Sequence, residues 1–330
     1  MGNFSFGAAG FGLSGGHSGG HSGGHSGGHS GGHSGGHSGG HSGGHSGGHS
    51  GGHGGRFGVD SGLLADAVTS VMAGIGQPDA TGLRARNQNQ DTWPKLKRWE
   101  PWVIPHLVLP ELLAGFKVSS SKSKTTLKIQ LTGMAFNFKK PVYNEKDVGT
   151  VIDMASLRNE RAAEVMAQAQ TCLPFWASIL PIDYRQTPAT MMLLDIAQEL
   201  VKTIEMRAKH EFGCWRPWEL SPQIQPMIAT PGHGGFPVGH TAEAAMFAVL
   251  LARLSQPTKG SREWDQLKVQ LDRLVDRIGE NRVVAGVHFA CDLAPSEDFG
   301  RLLAGYFEKR AKSVGILQVV WDTARKELQM

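Results

Sequence analysis

The chain has 330 residues, 40% of them hydrophobic, and its 33 lysines and arginines against 29 aspartates and glutamates give a formal net charge of +4. That mild excess is spread along the sequence rather than gathered into a stripe, so it gives no support to nucleic-acid binding. No run of about 18 uncharged apolar residues occurs, which argues against a membrane span, and Cys172, Cys214 and Cys291 follow neither a metal-ligand nor a disulfide pattern.

The opening "MGNFSFGAAGFGLSGG" has no charged n-region and no continuous apolar core, so no secretory signal is read there and a cytoplasmic or otherwise soluble protein is expected. Residues 14–55 repeat Gly-Gly-His-Ser and hold the regularly spaced histidines from His17 to His53. Glycine raises the chain entropy and almost nothing apolar is available to bury, so residues 1–57 are predicted to be a disordered tail. Its imidazoles could chelate zinc, copper or nickel. Residues 58–330 hold enough apolar residues for one sizeable core and are predicted to be a single α-helical domain.

Within that stretch, "GLLADAVTSVMAGIG" (Gly62 to Gly76) reads as a short helix closed by glycine. Trp93, Trp99 and Trp102 are assigned to a core, although a dimer contact and hence a homo-oligomer is the other use for them. The basic run near Lys122 to Lys128 reads as a solvated edge. It leads into "LKIQLTGMAFNF", where Leu127, Ile129 and Leu131, then Met134, Phe136 and Phe138, alternate as in a hairpin. Val151 to Gln170 is an amphipathic helix. Thr187 is a good N-cap before Pro188, and apolar residues at helical spacing carry that helix to about Lys209. A further helix opens at Thr241. Another lines up Trp264, Leu267, Leu271, Leu274, Val275 and Ile278, and two more follow over residues 299–312 and 318–328. The class is therefore mainly α: a helical bundle with a minor β hairpin.

Three stretches hold the informative polar residues. The first is "KHEFGCWRP", with Lys209 and Arg216. The second is "TPGHGGFPVGHT", a glycine-rich loop with His233 that opens onto a helix at Val238, Gly239 and His240; free backbone N–H groups and the helix dipole make such a start a ready anion site. The third is "NRVVAGVHFACD", with Asn281, Arg282, His288 and Asp292. If its end is helical, Asp292 lies one turn beyond His288 and could accept the ring N–H. Two guanidinium forks and an ammonium suit the oxygens of a phosphate-like group, one histidine could act on its central atom, and another could move protons.

These residues resemble the superfamily that joins type-2 phosphatidic acid phosphatases, class A acid phosphatases and vanadium-dependent haloperoxidases. Its pattern is K-x6-R-P, P-S-G-H and S-R-x5-H-x3-D. The chain reads Lys209-x6-Arg216-Pro217, Pro237-Val238-Gly239-His240 and Asn281-Arg282-x5-His288-x3-Asp292. Val238 and Asn281 replace the two serines, and the missing hydroxyl at Val238 should weaken anion affinity by roughly 0.5–1.5 kcal/mol. The wording around Trp215, the extra His233 and "GVHF" (Gly286 to Phe289) resemble the haloperoxidase branch.

The resemblance implies the helical bundle of that superfamily and a haloperoxidase with vanadate as cofactor. Hydrogen peroxide would oxidise halide, bromide foremost, to a hypohalous species that halogenates a small organic acceptor. His288 would be the axial vanadium ligand, and Lys209, Arg216, Arg282 and the Gly239 N–H would neutralise the oxygens. His240 would manage protons, Lys209 would polarise the peroxide, and His233 would tune halide preference. The alternative the resemblance carries is a phosphomonoesterase in which His288 attacks phosphorus, Asp292 orients it and His240 protonates the leaving alcohol. A third reading, from another class, is a metal-binding tail on a degenerate domain.

Overall fold

The computed structural model describes residues 92–255 and 261–329. The Gly-His-Ser repeat, the boundary expected near residue 57 and the helix expected at Gly62 to Gly76 lie outside the described residues. The chain divides into two units, Met1–Trp102 and Val103–Met330.

In the first unit, helix α1 (Thr92–Leu96) carries Trp93, whose ring takes the Lys97 ammonium at 5.4 Å from its centroid. Trp99 and Trp102 are exposed, contrary to the core assignment, because their segment interleaves them with Lys95, Lys97 and Arg98, which must reach water.

The second unit is mainly α with one small sheet. Helix α2 (Ile104–Leu112) leads into β1 (Lys117–Ser120), β2 (Thr126–Leu131) and β3 (Met134–Lys139), paired antiparallel in that order. The hairpin falls where the alternation placed it, with Leu127 opposite Phe138 and Ile129 opposite Phe136. β1 is an addition that alternation could not reveal, since three of its four residues are exposed. The Lys122 to Lys128 run spans the exposed turn between β1 and β2 and enters β2. One face of the sheet is apolar, and Phe138 meets Phe212, Phe236 and Phe299 with ring centroids 6.3, 5.6 and 5.1 Å away. The sheet thereby pins the loop before Gly239 against the helices on either side.

The helix expected over Val151 to Gln170 is two: α3 (Glu145–Met154), opened by an Asn144 capping box with Asp147, and α4 (Arg158–Gln170), with a 3-10 turn at Ala155–Leu157 between them. Ser156 Oγ donates to the Asp153 carbonyl at 2.7 Å, a side-chain bond that competes with the helical ladder at the break. After α5 (Leu173–Ala177) comes α6 (Pro188–Phe212), which runs past Lys209 until Gly213, at φ +54°, turns the chain away. Thr187 does not cap α6. Its hydroxyl is bonded to the Asp183 main chain, and Glu327 takes the cap's place by accepting from Ala189 and Thr190 N–H at 2.9 and 2.8 Å. Carboxylate at that end complements the dipole.

A short α7 (Pro217–Leu220) precedes α8 (Gly239–Leu254), which starts two residues before the expected Thr241. α9 (Arg262–Val284), capped by Ser261, buries Leu271, Val275 and Ile278 on its expected face. α10 (Leu293–Ala311) and α11 (Gly315–Leu328) begin six and three residues before the expected bounds. α8 is the centre of the bundle, packed on α6, α9 and α10. Its approach to α10 is so close that a Cβ on Gly300 would lie 2.0 Å from the Ala242 carbonyl oxygen, so only glycine fits there.

Candidate anion-binding site

Three chain segments meet at the start of α8. Lys209 is in the last turn of α6, and only 2% of it is exposed; its ammonium donates to the Pro237 carbonyl in the loop ahead of α8. Arg216 follows the Gly213 turn, with its own N–H bonded to the Glu219 carboxylate at 2.6 Å. Its guanidinium is nearly fully engaged. Nε donates to the His233 carbonyl at 3.2 Å and Nη1 to the Val287 carbonyl at 2.9 Å, while Nη2 lies 3.3 Å from His233 Nδ1 and Nη1 lies 3.4 Å from His288 Nε2.

Arg282, in the last turn of α9, is held differently. Its Nη2 donates to the Val165 carbonyl and to Gln168 Oε1 at 3.3 and 3.1 Å, but Nε and Nη1 are buried without any acceptor. Buried unpaired donors on a charged group are costly, and an anion would satisfy them. His240 is fixed by the same part of α4, its Nε2 3.2 Å from the Gln168 carbonyl. A carbonyl only accepts, so Nε2 carries the proton. Arginine only donates, so His288 Nε2 presents its lone pair toward Arg216 and the His288 proton sits on Nδ1.

Lys209, Arg216, His233, His240, Arg282 and His288 are thus brought to one buried centre, but Asp292 is not bonded to His288. His288 Nδ1 has no partner. The segment from Ala285 to Phe289 is not helical, because Gly286 at φ +76° breaks α9 from the 3-10 turn Ala290–Asp292. Asp292 instead accepts from the Tyr143 hydroxyl at 2.9 Å and from the Phe289 N–H at 3.1 Å. Nor does Asn281 face an anion: its amide donates to Glu164 and Gln168 at 2.8 and 3.0 Å. It steadies the glutamine that steadies Arg282. Val238 is fully buried and supplies no side-chain donor, and its N–H goes to Ser296 Oγ at 2.8 Å.

The charge state follows from burial among cations. His288 is pushed well below the ordinary histidine value by burial, then by Arg216 and Lys209. Burial, then Arg282, takes His240 down to about 3. His233 falls to about 4 through burial and Lys209. Burial also lowers Lys209, with Glu205 opposing. Two carboxyls move the other way, Asp292 and Glu205 each rising to about 7, mainly through burial. The three histidines are therefore neutral and the positive charge rests on Arg216, Arg282 and Lys209.

Gln168, Glu205, Tyr143 and Ser296 were not singled out in the sequence. Gln168 gave one signal, a polar residue three positions after Val165 on the apolar stripe of α4.

No family model matches the chain, and no curated protein does. Among solved structures, one that resembles it is the first transmembrane PAP2-type phosphatidylglycerolphosphate phosphatase from Bacillus subtilis, at TM-score 0.39 and 20% identity over 50% of this chain and 85% of that one. The likeness is slight. Among the described residues, no helix is long and apolar enough to cross a membrane.

Proposed function

We propose that this chain is an enzyme of the phosphatase superfamily its motifs resemble, and that it hydrolyses phosphomonoesters through a phosphohistidine. The observation that carries the reading is the pair of buried, unpartnered N–H groups on Arg282 beside His288, whose lone pair on Nε2 faces the Arg216 fork. Such a centre is preorganised for a tetrahedral oxyanion.

In this reading Arg282 and the N–H groups at the start of α8 hold the phosphoryl oxygens, and Arg216, whose Nε and Nη1 are already bonded, keeps the Val287 turn and His288 in place beside them. His288 Nε2 attacks phosphorus as the ester P–O bond breaks, and the leaving oxygen takes the proton that His240 Nδ1 has picked up from solvent on substrate binding, the Nε2–H staying on the Gln168 carbonyl. The bound anion offsets the cations that depress His240, which raises its proton affinity when substrate arrives. His240 then accepts a proton from the water that cleaves the P–N bond, and His288 is restored. Asp292 contributes through Tyr143 and the Phe289 turn rather than through a bond to His288.

A second reading is favoured by one contact, His233 Nδ1 against Arg216 Nη2, because the resemblance places an extra histidine there in the haloperoxidase branch. The donor set fits vanadate as well as phosphate. His288, Lys209, Arg216 and Arg282 would hold it, and it would supply a Lewis-acid centre for hydrogen peroxide and bromide.

The two readings separate in paired assays on the full chain. Hydrolysis of a simple phosphomonoester, blocked by vanadate and lost in His288→Ala, with acid-labile phosphate trapped on His288, is the expected outcome. Bromination of a β-diketone that depends on added vanadate and peroxide, without hydrolysis, would replace it with the second reading.

A further inference from the structure

The resemblance leaves a gap at Val238. A serine there would give an anion oxygen a hydroxyl donor, and a valine cannot. The neighbouring groups do not fill the gap. The Val238 N–H is committed to Ser296, whose own hydroxyl donates to the Asp292 carbonyl at 2.6 Å. Thr241 Oγ1 has no partner, but it faces α9, 3.1 Å from where a Cβ on Gly279 would be.

Glu205 is the remaining candidate. It lies one turn before Lys209 on α6, is 5% exposed, and its Oε2 is buried with no hydrogen-bond partner. Its carboxyl is packed against the first residue of α8: a Cβ built on Gly239 would lie 2.5 Å from each of its oxygens. A buried carboxyl with an orphaned oxygen at a helix start needs a second group to bond, and the anion is the group the site is built for.

We propose that Glu205, as the neutral acid, is the O–H donor to the bound phosphate-like anion that Val238 does not provide. The inference rests on the anion-site reading above and deepens it. The charged groups that face Glu205 are Lys202 and Lys209 from α6, Glu243 from α8 and Arg216 from the segment after α6. Burial outweighs the cations, so Glu205 keeps its proton up to about 7. As pH rises through that value, the donor is lost and a negative charge appears beside the anion, so affinity falls.

Inorganic sulfate is the probe, since its charge stays constant from about pH 5.5 to about pH 8.5, a range that spans the Glu205 titration. Binding by calorimetry to the full chain is compared for wild type, Glu205→Gln, Glu205→Ala and Glu205→Ala with Val238→Ser. The isosteric amide keeps a donor: affinity within about twofold of wild type at low pH is expected, with a shallower pH dependence that retains only the Asp292 share. Alanine loses about two- to tenfold, the equivalent of one neutral hydrogen bond, and Val238→Ser restores it. Tighter binding in both single variants would overturn the proposal and make Glu205 a competing carboxylate. Unchanged binding in both would also overturn it. Failure of the anion site itself shows separately, as wild type that binds no sulfate and an Arg282→Ala variant no different from it.

Discussion

The two arginines of the site are both buried and both charged, yet they are built to opposite purposes. Arg216 has a carbonyl on Nε, a carbonyl and the His288 ring on Nη1, and the His233 ring against Nη2, where His233 Nδ1 also meets the Gly234 carbonyl. Arg282 has partners on one nitrogen and none on the other two. A saturated guanidinium is a fixture that holds His233 and the Val287 turn in place. An unsaturated one, held by Gln168, has donors left over for the anion of the proposed reading. Under the anion-site reading proposed above, framework falls to Arg216 and ligand binding to Arg282.

Arg282→Ala is the largest test of that division. Hydrolysis should fall about 10²- to 10³-fold, the effect of removing an oxyanion donor, while the thermal midpoint holds or rises because an under-satisfied buried charge is gone. A midpoint that collapses would make Arg282 a fixture too. Arg216→Met should do the reverse at the level of folding: two carbonyls and a ring nitrogen lose their donor, which costs about 1–3 kcal/mol per buried acceptor left unpaired in chemical denaturation. Gln168→Leu touches no ligand but frees Arg282, so KM for the phosphomonoester should rise several-fold more than kcat falls. An equal effect on both would mean that Gln168 acts only through stability. His233→Ala is smaller still. Under the haloperoxidase reading it reduces bromide turnover more than vanadate affinity, and equal losses would confine His233 to bracing Arg216.

The mildest test uses pH. His233 and His240 stay neutral in the fold down to about 4 and about 3, whereas an unfolded histidine takes a proton near 6.5. Below 6.5 the unfolded chain therefore binds more protons, and the contribution of these residues to stability is lost as pH falls from about 6.5 toward 4. Asp292, which keeps its proton to about 7, acts oppositely, stabilising the fold as pH falls from about 7 to about 4. Urea titrations of His240→Asn against wild type isolate the histidine share. Saturating phosphate should shrink it, because the bound anion restores proton affinity to the ring.

Much of this was legible from spacing. Helical periodicity placed α6, α8 and α9, and alternation placed β2 and β3, because those signals are local. The three motif segments were legible for the same reason, and the structure gathers their cations at one end of α8. What was not legible depends on contacts between distant segments. Glu327 caps α6 in place of Thr187, Tyr143 takes Asp292 from His288, and Gln168 on α4 orients both Arg282 and His240. Each is a competition for a hydrogen bond that sequence cannot adjudicate. The expectation that Asp292 would follow His288 on a helix failed at Gly286, whose left-handed backbone is invisible in a periodicity plot. The choice between phosphate and vanadate chemistry is equally hidden, since one tetrahedral donor set serves both.

Gly300 gives the site its mechanical character. With no side chain between the two backbones, α8 and α10 touch like parallel rods without a spacer, and a slip of either along the other would drive Cα into carbonyl. The start of α8 and the Asp292–Ser296 end of α10 therefore behave as one stiff block.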